Sequence, residues 1–137
     1  MTAFTNYTEG QIANHIFRTG SFTKPSTLFV GLMSAVSDGE AGTVTELSGG
    51  GYARVANAPG DANWAAPVSG NGTVSNVGAI TFPQATADWT TATHFGIWDA
   101  STAGNLLVYA PLAANRTVTN GSTPSFAAGQ LTVQVDN

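Results

Sequence analysis

Charge is what this chain has least of. Lys, Arg, Asp and Glu together make up 9% of its 137 residues, against roughly 25% in an ordinary soluble domain. The basic side consists of Arg18, Lys24, Arg54 and Arg116, set against eight acidic residues for a net charge of -4. Four scattered cations cannot build a groove that tracks phosphates, so no nucleic-acid partner is expected. They also offer nothing to an anionic membrane surface. Cysteine is absent altogether. That excludes a disulfide scaffold, a thiolate zinc site and a cysteine nucleophile. No apolar run approaches the ~18 residues of a membrane-spanning helix. Residues 1–9 show neither a cationic start nor an apolar run, so no targeting signal is expected there. Repeats, heptads and low-complexity linkers are also missing, and with them the periods of fibrous proteins.

What remains is an apolar, uncharged, globular composition. Hydrophobic residues make up 42%, with three Trp, three Tyr and seven Phe. Disordered chains pair low hydrophobicity with high net charge, which is the opposite pattern. The polar surface must come from Thr, Ser, Asn and Gln. A free monomer usually keeps more charge for solubility, so the composition points towards a protein held in a larger assembly. The length suits one domain, taken as residues 1–137.

A single helix is legible, at about residues 7–18. Asn6 is placed to cap it, with Glu9 at capping-box spacing. Ile12 with Ile16, and Ala13 with Phe17, are i, i+4 pairs forming one apolar stripe, which is expected to lie against a sheet. Gly20 after Arg18 ends it. From about residue 27 to residue 136 the pattern is β. Residues 27–33 form a short apolar run that suits a strand buried on both faces. Residues 34–51 read as a long loop, and residues 52–56 alternate, with Tyr52 and Arg54 on one side. Residues 57–72 form a second loop, and residues 73–82 a longer strand. Residues 93–99 place Phe95 and Ile97 on one face and His94, Gly96 and Trp98 on the other. A turn at 100–105 returns the chain through 106–110 as a hairpin. Residues 116–119 and 130–136 are the last strands, with Leu131, Val133 and Val135 on a core face. The expected fold is mainly β, a jelly-roll-like β-sandwich of about seven or eight strands with one N-terminal α-helix.

Chemistry-bearing residues are sparse. His15 lies mid-helix and is expected to be structural. His94 could pair with Asp88 or Asp99, but no serine occupies a nucleophile elbow. Asp88 beside Trp89, and Asp99 beside Trp98, resemble carboxylates next to sugar-stacking aromatics, the pattern of a glycan hydrolase. The competing account makes Asp99 a turn residue and both tryptophans core, and it is the expected one. Residues 47–52 are glycine-rich but lack the lysine and helix of a phosphate loop, and read as a flexible entry into a strand. Asp38, Glu40 and Glu46 share a loop without the alternating oxygen ligands of a calcium site. No catalytic, cofactor-binding or metal residues are assigned, and the chain is not expected to be an enzyme.

Several segments taken in order resemble a known family. They are residues 5–7 leading into a helix that ends at 16–18, then 28–32, Ser48-Gly49-Gly50-Gly51-Tyr52-Ala53-Arg54, and Phe95-Gly96-Ile97-Trp98-Asp99-Ala100. Residues 104–107 and 126–133 complete the set. Together they resemble a family of small virion structural proteins of tailed bacteriophages, commonly labelled tail fibre protein. The resemblance implies a virion location and brings no catalytic residues with it. Lacking an elongated repeat or coiled coil, the chain suits a small module present in many copies. The reading preferred on that ground is a capsid decoration (cement) protein on the outer capsid, bridging capsomers. The alternative is a tail fibre or tail-tip protein acting in host attachment, and a glycan hydrolase comes third. Expected partners are the major capsid protein or other virion proteins, and further copies of this chain as a trimer. Tyr52, Trp64 and Tyr109, expected to be exposed in loops and at strand ends, are the candidate interface anchors.

Overall fold

The computed structural model describes residues 3–135. Strand β1 (Ala3–Phe4) leads directly into helix α1 (Asn6–Phe17). Thr5, in extended backbone, caps the helix through its hydroxyl, which accepts from the Thr8 amide at 3.4 Å. The cap is therefore Thr5, one residue before the expected Asn6. Burial explains the choice. Thr5 Oγ1 also donates to the Leu106 carbonyl at 2.6 Å, and Thr8 Oγ1 donates to the Leu107 carbonyl at 2.9 Å. A threonine pair thus serves the helix end and moors it to the sheet.

The remaining strands are β2 (Phe29–Asp38), β3 (Thr43–Glu46), β4 (Val55–Ala56), β5 (Val74–Ser75), β6 (Ile80–Thr81), β7 (Ala92–Trp98), β8 (Leu106–Arg116), β9 (Ser125–Phe126) and β10 (Thr132–Val133). The main antiparallel sheet runs β1-β8-β7-β2-β3, with β4 sharing β2 as its neighbour. Two ribbons, β5 with β10 and β6 with β9, supply the opposing layer. The sheet turns Val30, Leu32, Phe95, Ile97, Val108 and Ala110 towards that layer, where Ile80, Phe82, Val118, Leu131 and Val133 meet them in one core. The fold is mainly β and sandwich-like, with the helix at its N-terminal end. Its second layer consists of paired two-residue strands and loops in place of a full sheet.

The central strands match expectation. Phe95 and Ile97 face the main core, and Trp98 enters a smaller cluster with Met33 and Leu106 on the sheet's other side. Val30, Gly31, Leu32 and Met33 are all buried, as a strand covered on both faces requires.

Four expectations are corrected. Residues 34–51 are not one loop: β2 continues to Asp38 and turns into β3, the Asp38 carboxylate accepting from the Ala41 amide at 3.0 Å. Register shifts at Met33/Ala35 and Val36/Asp38 interrupt the period-2 pattern that would have revealed this strand. Residues 73–82 are not one strand, because Asn76 divides them. Its buried amide donates to the carbonyls of Gly78 at 2.8 Å and Ala127 at 2.9 Å, and accepts from the Leu131 amide at 2.9 Å. These bonds take the place of a continuous ladder. The last strand is only β10, and Val135 is 58% exposed. Continuing the register sets Val135 opposite the turn at residues 70–72, beyond its partner strand. Asp136, also assigned to that strand, lies outside the described residues. Finally, the helical stripe does not lie against the sheet: Ile12 is half-buried, but Ile16 is 63% and Phe17 is 82% exposed. The helix is moored at its N-terminal turn and extends beyond the sheet.

Candidate interaction surfaces

Glu46 and Arg54 meet beside Trp98, and the hydroxyl of Tyr52, whose ring packs against the main core, joins them there. The Arg54 guanidinium grips the Glu46 carboxylate with two parallel bonds, Nε to Oε1 at 2.8 Å and Nη2 to Oε2 at 2.7 Å. The Tyr52 hydroxyl donates to Glu46 Oε1 at 2.9 Å and accepts from the Leu32 amide at 2.9 Å. Arg54 Nη1 donates to the carbonyls of Ala100 at 2.7 Å and Ala103 at 2.8 Å, which ties down the β7–β8 turn. The guanidinium lies 4.1 Å from the centroid of the Trp98 ring. The Arg54 side chain is 5% exposed and Glu46 is 26% exposed. Geometry of this kind makes a charge pair stabilising, because each of the three guanidinium nitrogens finds an acceptor.

The glycines of this region act through space. Gly31 and Gly96 face each other in register on β2 and β7. A side chain at Gly31 would meet Trp98 and the Tyr52 hydroxyl, and one at Gly96 would meet Leu106 and Trp98. Gly49, Gly50 and Gly51 have φ of 74°, 54° and 79°. The Gly50 carbonyl accepts from Trp89 Nε1 at 2.7 Å and from the Thr86 amide at 2.9 Å. The glycine run is thus an ordered clasp on residues 84–89, where a flexible entry was expected.

The three candidate anchors are not exposed as expected; each is half-buried. Tyr52 is held by Glu46 and packs edge-on against Trp89 at 5.3 Å. Trp64 packs against the core, and its Nε1 donates to the Asn57 carbonyl at 3.4 Å. Tyr109 packs on Met33, Trp98 and Leu106 and covers Gly39, whose Cα leaves room for the ring. A core-facing role in the single chain explains all three aromatics.

The other candidate residues are dispersed. Asp99 accepts from the Asn105 amide at 2.7 Å, and Asp88 from the Asn120 amide at 2.7 Å, so both carboxylates close turns. Trp89 and Trp98 are each 4% exposed, which leaves neither ring a face for a sugar. His94 contacts Thr93 Oγ1 at 2.8 Å, and burial lowers its pKa. His15 is exposed, its Nδ1 accepting from the Phe22 amide at 3.3 Å. Among the described residues, no three His, Asp or Glu side chains converge as a metal group. Also among them, no helix is long and apolar enough to cross a membrane.

Two surfaces remain open. One is the arm formed by the free end of α1 and the residues after it, all exposed from Ala13 to Lys24 except a half-buried Phe22. The other is a groove of about 590 Å³ beside the outer half of β8. It arises because β7 pairs Ala92 with Arg116 but His94 with Pro111, so residues 112–115 bulge out opposite a single residue. Leu112, Phe126, Asn115 and Arg116 are among its walls. Sequence reading missed both. An exposed stripe and a buried stripe have the same periodicity, and a bulge leaves no local signal.

An arrangement of this kind offers docking surfaces and structural clamps. Against that geometry, the family model for "Podophage GP4 fiber I protein gp80" matches residues 3–134. This chain belongs to that family. No curated protein matches it. Membership supports a phage structural role of the fibre type. In this gp80-family chain the segments that carried the resemblance converge. Gly31, Tyr52, Arg54, Trp98 and Ala100 come from three of them and meet around Glu46. They build the scaffold.

The scaffold has a pH signature. Burial, first, raises the Tyr52 pKa far above its ordinary value of 10.0, and the adjoining Glu46 charge adds to the effect. The unfolded chain ionises Tyr52 above pH 10.0 while the folded chain keeps it protonated. Stability is therefore full below that pH and falls as pH rises beyond it. Denaturant melts from about pH 9 to about pH 11 should show this decline, and Tyr52→Phe should flatten it. An equal slope in the variant would assign the loss to other groups, of which Tyr109 is also raised.

Proposed function

We propose that this chain is a building block of a phage virion fibre and takes part in host attachment as a compact, non-enzymatic module. The observation that carries the reading is the family match over residues 3–134. The sparse charge supports it, since a subunit fixed in an assembly needs little electrostatic solubility. So do the overhanging apolar arm and the groove, which give a small domain contact surfaces without an elongated repeat. The match favours the fibre reading over capsid decoration, which was preferred from the sequence. Its expected partners are other virion proteins and copies of itself. Nucleic acid remains an unsuitable partner, because one of only four cations is committed to Glu46.

Gold-labelled antibody on intact particles tests this reading. Label on fibres or at the tail is the expected result. Label spread evenly over the capsid shell would restore the decoration reading.

A further inference from the structure

The fold leaves one cation at a concave site. The protein carries a net charge of -4, and its four cations have different fates. Arg54 is taken up by Glu46, and Arg18 and Lys24 lie on the arm. Arg116 lines the groove beside β8. It is exposed, and among the described residues it forms no ion pair. None of the residues lining the groove is Asp or Glu. An anionic chain thus sets an unpaired guanidinium in a concavity without a carboxylate, which makes the groove complementary to a negative ligand.

The other walls narrow the kind of anion. Asn115 and Gln130 contribute amides and Ser125 a hydroxyl, neutral groups that both donate and accept. Phe126 contributes an aromatic wall, fixed in place because its ring packs on Phe95 at 5.8 Å and on Phe82 at 6.3 Å. A few polar groups around an apolar wall, in about 590 Å³, is the make-up of a preformed small-ligand site. A peptide fits less well. An added strand binds through backbone N–H and C=O groups along a sheet edge. Here residues 112–115 bulge, and Pro111 and Pro124 in the lining have no N–H to offer. Recognition therefore runs through side chains, and these suit a compact ligand with a carboxylate, hydroxyls and an apolar ring face.

We propose that the groove beside β8 binds an acidic saccharide of the uronic-acid type. Arg116 grips its carboxylate, Asn115 and Gln130 bond its hydroxyls, and Phe126 meets the apolar face of its ring. A glycosidase needs a pair of carboxylates at the bond it cleaves, and the groove lining has none, so the saccharide is bound and not cleaved. The proposal names a ligand class for the host-attachment reading and rests on that reading for its biological role. The two fail separately, because particle labelling tests position and saccharide binding tests the groove.

Amide NMR titration of the purified protein with tri-galacturonic acid, against neutral galactotriose, makes the test. The acidic trimer should shift the signals of Asn115, Arg116 and Phe126. The neutral trimer should bind more weakly by about 10-fold or more, the loss expected when a charge-assisted pair is missing. Arg116→Gln should weaken binding of the acidic trimer by a similar factor, with an unchanged thermal melt because the side chain is exposed. Arg116→Lys should recover only part of it, since an ammonium cannot bond both carboxylate oxygens in one plane. Gln130→Glu, which adds a carboxylate to the lining, should also weaken it. Arg18→Gln with Lys24→Gln should leave it intact, because neither residue lines the groove. Absence of binding, equal binding of the two trimers, or an unaffected Arg116→Gln variant would each overturn the proposal. So would a tri-glutamate peptide bound at the same residues as tightly as the acidic trimer, which would make the groove a peptide site.

Discussion

Truncation of Arg54 to alanine should cost about 3 kcal/mol of folding stability, a large share of the roughly 5–15 kcal/mol available to a domain. The loss has three parts. Glu46 keeps its charge beside the sheet without a counter-ion, at 26% exposure. The carbonyls of Ala100 and Ala103 lose their shared donor. Trp98 loses the guanidinium 4.1 Å from its ring centroid. Arg54→Lys should recover little, because an ammonium cannot hold a carboxylate through two parallel bonds, reach two carbonyls and stack on an indole together. Replacing both partners, Arg54→Met with Glu46→Leu, should be milder than Arg54→Ala, since no uncompensated charge remains. Urea unfolding of the three variants makes the comparison. If Arg54→Ala lowered stability by less than about 1 kcal/mol, the pair would rank with ordinary surface salt bridges.

Gly31→Ala should be nearly as damaging, at about 3 kcal/mol, although it adds a single methyl group. The added carbon would lie 2.8 Å from both Trp98 Cζ3 and the Tyr52 hydroxyl, and 3.1 Å from Glu46 Oε1. None of these groups is free to retreat. Trp98 is covered by Arg54, and Tyr52 is bonded to Glu46 and Leu32. Gly96→Ala meets the same ring from the neighbouring strand, 2.7 Å from Trp98 Cη2 and from Leu106 Cδ1. Because the Trp98 ring is the part common to both clashes, the double variant should cost less than the sum of the two. Near-ultraviolet circular dichroism should report the shifted indole in each. Full additivity, with an unchanged aromatic spectrum, would show that the two glycines act independently of Trp98.

The glycine pair also shows what separates sequence from structure here. That Phe95 and Ile97 face one way and Gly96 and Trp98 the other follows from period-2 alternation, which is a local property. That Tyr52 and Arg54 share a side follows from the same rule. Local chemistry likewise carries the existence of the first helix, the turn role of Asp99 and the mainly β class. Composition excluded disulfides and thiolate metal sites, and it pointed towards an assembly.

The partners of those residues were decided elsewhere. Glu46 stands six residues before Tyr52 and eight before Arg54 and seemed to belong to a loop, because bulges in β2 hid the β2–β3 hairpin. Gly31 and Gly96 become one floor only when β2 and β7 pair. The apolar stripe of α1 has the periodicity of a buried face, yet the hydroxyls of Thr5 and Thr8 moor the helix by its first turn and leave Phe17 beyond the sheet. Periodicity states that a face is apolar; only the packing of distant segments determines whether the molecule itself covers it. The sequence by itself therefore settled the mainly β class, the family resemblance and the faces of its central strands. Tertiary structure decided which aromatics are consumed in the core and which surfaces are left over, because that depends on contacts between residues far apart in the chain.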